Sequence, residues 1–595
     1  MNFRNSIIFT LPKVFNRAFG KYKIQIAILS FLSFINSILE GIGISAVIPI
    51  FSFVSNEGTK GSDIISKTIE RIFNFVHIGY SVRNLLIFIG VLFIFKVIII
   101  FFTQYITVKV IADYQKNTKT EIFKSILKSN WPYLSKQKLG HLDQVMTTNV
   151  NNISSMFSCF STSVLIVAKI VIYSVIAINI SLIVTLSMFA LGAFSFFIFK
   201  PLFYKSKEIS SKSEDLNRIT SHYINENILG MKTVKSMNVE KGVLSKINNY
   251  FDLSKKLTLD LVITKGITDV ILQIIGVGFI LSAFIFFYKT VAFNFATFAV
   301  MVYAVNQIFT QIQAMQEQMH RFVSNFPYLN KVFEYLDQSI MHKELDKGTR
   351  DFSFKEKLEF KNVLFYYNSK NNILNNITFE IKKGEMIGLI GPSGAGKTTI
   401  VDLLLRLYSP ISGEILIDNN RIEKINLKSW RENIGYVSQD IFLMNDTISN
   451  NIRFYDLSLT NNEIEDAAKM ANISGFIQNL PEKYESIIGE RGIMLSGGQR
   501  QRIIIARVLA RKPKLLILDE ATSALDNESE IEVQKVIEGL QGKITVLVIA
   551  HRLSTIINSD RLIALENGKI IESGSPKKLL KEKESYFAKV YNLRI

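Results

Sequence analysis

The chain has 595 residues, of which 48% are hydrophobic, 11% aromatic and 20% charged, with 45 Phe against only 10 Pro. This composition excludes a disordered chain, a collagen-like fibre and a small disulfide scaffold; the single cysteine, Cys159, can form neither an internal disulfide nor a cysteine-rich metal site. The formal net charge of +18 fits either a nucleic-acid-binding protein or a membrane protein with basic cytoplasmic loops.

Apolar residues concentrate before about residue 325. Six stretches there are long enough to cross a bilayer, which takes about 20 helical residues. They run over 24–51, 85–111, 157–178, 182–203, 262–287 and 295–312. The third and fourth are joined only by 179–181 and form a hairpin. Lysine-rich polar segments, 112–155 and 204–258, follow the second and fourth, and an excess of Lys and Arg marks cytoplasmic loops. An even number of crossings then leaves both termini in the cytoplasm. The polar stretch around Asp337–Lys355 reads as a linker. The expected organisation is a six-span α-helical transmembrane domain over 1–327, a linker over 328–356 and an α/β domain over 357–595.

Glu40, Lys96 and Lys169 lie inside the first three spans. Counted from the outer ends, each is about 10–14 residues deep, or roughly 15–20 Å, near the middle of the bilayer. Asn306 and Gln307 of the sixth span fall at a similar depth. Charges there are costly and usually face a cavity or a partner. These five residues define a candidate polar layer in which the two lysines meet an anionic headgroup, such as a phosphate. A structural Glu40–Lys ion pair is the alternative reading, and a snorkelling lysine a further one.

The last third carries the chemistry. Gly391-Pro392-Ser393-Gly394-Ala395-Gly396-Lys397-Thr398 fits G-x-x-x-x-G-K-[ST]. An apolar run, Met386–Ile390, precedes it, and a helix is expected from Thr399 onward. In this setting glycines free backbone amides to meet phosphate oxygens, and the helix N-terminus favours the anion. Lys397 would reach the β- and γ-phosphates of ATP, and Thr398 would ligate Mg²⁺. Downstream, four apolar residues lead to Asp519-Glu520 and read as a buried parallel strand ending at a site. Asp519 would hold Mg²⁺, and Glu520 would polarise the attacking water.

Between these motifs stands Leu495-Ser496-Gly497-Gly498-Gln499, followed by Arg500-Gln501-Arg502. This string resembles the signature sequence of ABC-transporter ATPases, and other residues match that family in order. Tyr367 resembles the aromatic that stacks on adenine. Gln439 resembles the glutamine that contacts Mg²⁺ and the attacking water. Ser523-Ala524-Leu525-Asp526 is similar to the D-loop, and His551 to the switch histidine that senses the γ-phosphate. Six spans before one ATPase resemble a half-size exporter of the type IV fold. The resemblance implies an ATP site built by Tyr367, Gly391 to Thr399 and Gln439, with Mg²⁺ on Thr398, Gln439 and Asp519 and catalysis by Glu520, His551 and Gln439. It also implies that Leu495 to Gln499 and Asp526 serve the ATP of a partner subunit. A homodimer is therefore expected, with a heterodimer open. In this family the coupling helices would lie near Tyr114–Lys124 and Ile219–Met231.

The implied function is ATP-driven export or flipping of an amphipathic or lipid-linked substrate among membrane lipids, across a bacterial inner membrane and without nucleic acid. The segment Leu39–Ile50 looks similar to bacterial flippases of lipid-linked oligosaccharides. A multidrug exporter is the main alternative; a non-transport ABC ATPase and a gated channel are the others.

Overall fold

The computed structural model describes residues 15–45, 70–71, 73–75, 77, 79–180, 182–288, 295–367, 372–522, 525–550, 552, 555–582 and 584–592. The chain divides into two compact units. One is Met1–Ser129 with Tyr133–Lys343, and the other is Glu344–Ile595 with Asn130–Pro132.

The first unit is built from six long helices: α1 Lys23–Ser45, α2 Val82–Leu127, α3 Val150–Ile180, α4 Leu182–Leu229, α5 Glu240–Tyr288 and α6 Phe295–Met341. Among the described residues, five helices are long and apolar enough to cross a membrane. The sixth, α6, covers the residues of the last expected span. On α2 the apolar side chains face outward on several sides, with Ile94, Val97, Phe101 and Phe102 all exposed. In water such a surface would aggregate; against lipid it is the stable arrangement.

The helices overrun the spans read from the sequence. The 46 residues of α2 extend roughly 69 Å at 1.5 Å per residue, against about 30 Å of hydrocarbon. The polar segments 112–155 and 204–258 are therefore mostly continuous helix. Their cause lies in a narrow buried stripe: Val110, Tyr114, Thr118 and Ile122 recur every four residues on α2 and are buried. The first expected coupling helix is corrected accordingly. Tyr114–Lys124 is the interior of α2, and the chain turns only after Leu127, through short helices at Trp131–Leu134 and Leu139–Gln144. Likewise 219–229 is the end of α4, and the turn comes at Gly230 before a short helix, Met231–Ser236. Pro201 lies within α4 and Pro327 within α6.

The helix Leu139–Gln144 seats on α4 through Gly140, where a Cβ would stand 2.8 Å from the backbone of His222. The adjacent His141 ring lies 6.0 Å from that of His222. Burial first, then the charge of Arg218, pulls the His141 pKa down to about 4.

The second unit has two sheets. An antiparallel one has the order β2-β1-β4-β5, from β1 Lys357–Phe365, β2 Leu374–Lys382, β4 Ser412–Ile417 and β5 Asn420–Arg421. The other has the order β10-β9-β3-β8-β7-β6. Its strands are β3 Met386–Ile390, β6 Ile434–Val437, β7 Leu515–Asp519, β8 Thr545–Ile549, β9 Arg561–Glu566 and β10 Lys569–Gly574. From β9 to β6 all neighbours are parallel, with β10 antiparallel at the edge. Every residue of β3, β7 and β8 is buried. Alternate residues enter separate cores: Ile387, Leu389, Ile517 and Leu547 one, and Met386, Leu516, Leu518 and Val548 the other. Burial on both faces is why these strands read as unbroken apolar runs.

Two outcomes test the seam at Gly140. Gly140→Ala should lower the melting temperature of the purified protein, at a cost of about 1–3 kcal/mol. Gly242→Ala, in open space on α5, should leave it equal or slightly higher. His141 is neutral in the folded chain and titrates near the ordinary histidine value once unfolded. The fold therefore loses stability as pH falls from about 6.5 towards 4, by about 1 kcal/mol after solvent screening. Comparing melts at pH 7.5 and pH 5, His141→Gln should show a smaller acid loss than wild type.

Candidate functional site

Four parallel strands deliver their carboxyl ends to one edge of the sheet, where ligands of open α/β sheets bind. β3 leads into the phosphate loop, β6 towards Gln439, β7 into Asp519-Glu520, and β8 to Ala550. His551 follows, but it lies outside the described residues, as do Ser523 and Ala524.

The phosphate loop ends in helix α7, Lys397–Leu404. Gly391 has φ +150° and Gly396 φ +104°, and a Cβ at either would stand 2.1 Å from the Leu565 carbonyl or 2.6 Å from the Leu374 side chain. Only glycine fits this cradle. The Lys397 ammonium donates to the carbonyls of Gly391 at 2.9 Å and Pro392 at 3.0 Å, so it lies folded along the loop. Burial lowers its pKa, with Glu520 and Asp519 opposing that shift. Pro392, Ser393, Gly394 and Thr398 are exposed, while Ala395 and Thr399 are buried.

Asp519 is buried, and burial first, then the charge of Glu520, raises it to about 6. The Tyr436 hydroxyl donates to it at 3.4 Å. Glu520 sits at the strand end with φ +51°, a left-handed conformation that a non-glycine residue adopts at some cost. Its amide donates to Ile549 of β8 at 2.9 Å, and its carboxylate accepts from the Gln439 side chain at 2.7 Å. The two residues named from separate motifs therefore touch. Thr398, Gln439 and Asp519 offer hydroxyl, amide and carboxylate oxygens, an all-oxygen set that suits Mg²⁺.

Tyr367 is 46% exposed. Its hydroxyl donates to Asp402 at 3.1 Å and bonds Thr399 at 3.2 Å. Both partners belong to α7, so one helix carries the phosphate loop and fixes the aromatic ring. Burial pushes the Tyr367 hydroxyl up to about 12. Tyr408 packs edge-on against that ring at 5.1 Å. Asp402 and Tyr408 escaped the sequence reading; their only signal was proximity to the phosphate loop.

Ser496 caps helix α8, Gly497–Leu509, in a reciprocal box: it accepts from the Gln499 amide, and the Gln499 side chain accepts from its own. Asp526 caps α9, Asn527–Leu540. A Cβ at Gly498 would stand 2.4 Å from Ser529, so the signature loop and the start of α9 pack together. Arg552, next to His551, ion-pairs with Glu530 and donates to the Leu525 carbonyl at 2.7 Å. Sequence reasoning passed over this clasp between the segment after β8 and α9.

In the helical unit, the polar layer resolves into a cluster. Lys96 and Lys169 each stand 3.0 Å from Glu40, and the Tyr173 hydroxyl donates to the same carboxylate at 2.6 Å. Gly41 permits this: a Cβ there would stand 2.4 Å from Ile172, so α1 and α3 approach closely beside the ion pair. Gln307 donates to Tyr303 at 2.8 Å, and Tyr303 adjoins Tyr173. Asn306 lies exposed, outside this chain.

A P-loop ATPase unit following a polytopic helical unit defines a class, and the comparisons give its family. Residues 24–315 match the family model of the ABC transporter transmembrane region, and residues 374–523 match that of the ABC transporter. A protein of Syntrophus aciditrophicus (strain SB) named ATP-dependent lipid A-core flippase is 32% identical over 503 residues, covering 81% of this chain and 80% of that protein. A putative multidrug export ATP-binding/permease protein of Bacillus subtilis (strain 168) is 31% identical, covering 82% and 84%. The structure of a bacterial Atm1-family ABC exporter with ATP bound shares the fold, with a TM-score of 0.79 over 97% of this chain and 99% of that one, at 22% identity. The chain belongs to the ABC transporter family and is a multi-pass membrane protein.

If Tyr367 carries the adenine, Tyr367→Ala should weaken ATP binding by about 3–10-fold, the worth of one aromatic stack. Tyr367→Phe keeps the ring and should bind within about 2-fold of wild type. Equilibrium dialysis with the full chain separates the two; equal binding by the Ala variant would remove the assignment.

Proposed function

We propose that the chain is one half of an ATP-driven exporter that moves an anionic amphipathic lipid across the cytoplasmic membrane by alternating access. The observation that carries the reading is the convergence of Lys397, Asp519, Glu520 and Gln439 at the carboxyl edge of one parallel sheet. In this reading the backbone amides of Gly391 to Thr399 cradle the phosphates, and Lys397 leaves the Gly391 and Pro392 carbonyls to meet them. Thr398, Gln439 and Asp519 hold Mg²⁺, which when bound offsets charge on the phosphate oxygens. Glu520 orients the attacking water, with Gln439 fixing its carboxylate beforehand. His551 is assigned the γ-phosphate by its place after β8.

Ser496, Gly497, Gly498 and Asp526 serve the partner subunit's ATP in a homodimer. One copy carries both halves of the machinery, Lys397 on one loop and Ser496 on another, so two identical copies complete two sites. The lysine-rich segments after the second and fourth spans support a cytoplasmic location for the ATPase and both termini. The relatives named lipid A-core flippase, together with the Glu40, Lys96 and Lys169 cluster, favour a lipid with an anionic headgroup.

The test is ATP hydrolysis and lipid movement by the reconstituted dimer. Glu520→Gln should cut hydrolysis by about 10²–10³-fold while keeping ATP binding, and lipid movement should fall with it. Lys397→Ala should lose ATP binding itself. Lipid movement by Glu520→Gln at the wild-type rate would sink the coupling.

A further inference from the structure

Two segments leave the neighbouring strands β7 and β8 and are bonded together beyond them. One runs from Glu520 to Asp526; the other carries His551, Arg552 and Thr555. The Thr522 and Thr555 hydroxyls bond each other at 3.2 Å, and both residues are buried. The Arg552 guanidinium donates to the Leu525 carbonyl at 2.7 Å and ion-pairs with Glu530, a buried residue of α9. Such a pair of charge-assisted contacts on one planar guanidinium fixes direction as well as distance. Neither contact uses a group assigned above to ATP or Mg²⁺.

The first turns of α9 form a junction. Asp526 caps the helix, its carboxylate accepting from the Ser529 amide at 3.2 Å. A Cβ on Gly498 would stand 2.4 Å from the Ser529 side chain, so the start of α8 rests on the same turn. Glu532 of α9 stands 3.8 Å from Arg502 of α8. Ser529 and Glu532, three residues apart, share the face of α9 that meets α8. Glu530 stands about 100° round from Ser529 and meets Arg552 instead. α9 is therefore fastened both to the segment that follows His551 and to the helix that begins at the signature string. Contiguous packed contacts of this kind are the physical means by which one segment constrains another.

The residues joined in this way are assigned to different ATP molecules. His551 precedes Arg552 and is assigned to the copy's own γ-phosphate, whereas Asp526 and Leu495 to Gln499 are assigned to the partner subunit's ATP. We infer that Arg552, held by Glu530 and the Leu525 carbonyl, is a positioning residue that sets Asp526 and the signature string for the partner subunit's ATP, and so links the two ATP sites of the dimer. The inference rests on the shared-site homodimer proposed above and names the side chain that carries the link. Arg552 acts through Leu525 and α9, not on the nucleotide.

The test uses mixed dimers of the full chain in nanodiscs, purified through two different tags, with one copy silenced by Glu520→Gln. Only the other copy's phosphate loop then supports hydrolysis, and that site borrows Ser496 and Asp526 from the silenced copy. Arg552→Gln on the silenced copy should lower the remaining hydrolysis by about 10-fold, the scale on which displaced groups cost rate. Glu530→Gln there should act alike, and the two together should cost no more than either alone, because both break one contact. Arg552→Lys keeps the ion pair but loses the fork and should fall between wild type and Arg552→Gln. ATP binding by the altered copy, read by equilibrium dialysis, should be unchanged, which misfolding cannot reproduce. Unchanged hydrolysis with Arg552→Gln on the silenced copy overturns the link. So does a loss seen only when the change sits on the competent copy, or a loss accompanied by lost ATP binding. Ser496→Arg on the silenced copy is read separately and should abolish hydrolysis; hydrolysis that survives it removes the shared-site dimer, whereas hydrolysis that it abolishes but Arg552→Gln does not alter removes the link alone.

Discussion

Inside a bilayer there is no water to satisfy a polar group, so the chain must complete every hydrogen bond and charge from its own atoms. That constraint shapes the helical unit. It selects unbroken helices for the backbone, and it makes any side-chain charge on them conspicuous. The cluster at Glu40 shows how far the chain meets the demand: one carboxylate takes hydrogen bonds from Tyr173 and both lysines at once. Gly41 is part of the same solution, because only a residue without a side chain lets α3 come close enough.

The ATPase unit obeys a different constraint. Its parallel strands are buried on both faces, so any polar chemistry is expelled to their ends. Asp519 is the last residue of β7, and Glu520 is the first beyond it, already in a left-handed backbone conformation. Burial at the rim of an apolar sheet, with the Glu520 carboxylate beside it, is what raises Asp519. Gln439 reaches Glu520 from the neighbouring strand β6, which pairs directly with β7. Sheet order thus brings together residues some eighty positions apart.

Much of this was legible in the sequence. The phosphate loop, the Asp519-Glu520 pair and the signature string announce themselves because backbone geometry and phosphate chemistry allow few alternatives at those positions. The helical spans are legible because lipid demands long apolar runs. The extent of the helices was not. Beyond the membrane a helix needs only one buried residue in four, so Tyr114, Thr118 and Ile122 were lost among the lysines of a polar segment. Contacts between distant segments were equally hidden. Nothing in the sequence pairs Tyr367 with Asp402, or Arg552 with Glu530, because each pairing is made only when strands and helices are assembled. The charges at 40, 96 and 169 could be placed at one depth, but their meeting depends on the faces that α1, α2 and α3 turn to one another.

The long helices also differ in how they can bend. α2 and α5 contain no proline, whereas α4 and α6 carry Pro201 and Pro327, each of which lacks the amide that would tie it to the preceding turn. A rod of about 69 Å that tilts by only about 5° carries one end roughly 6 Å relative to the other. Stiff members convert a small rotation into a large displacement, while members with a built-in joint absorb the same rotation locally. The unit thus holds two long helices with an uninterrupted amide ladder and two whose ladder is broken once, at Pro201 and Pro327, where bending would cost least.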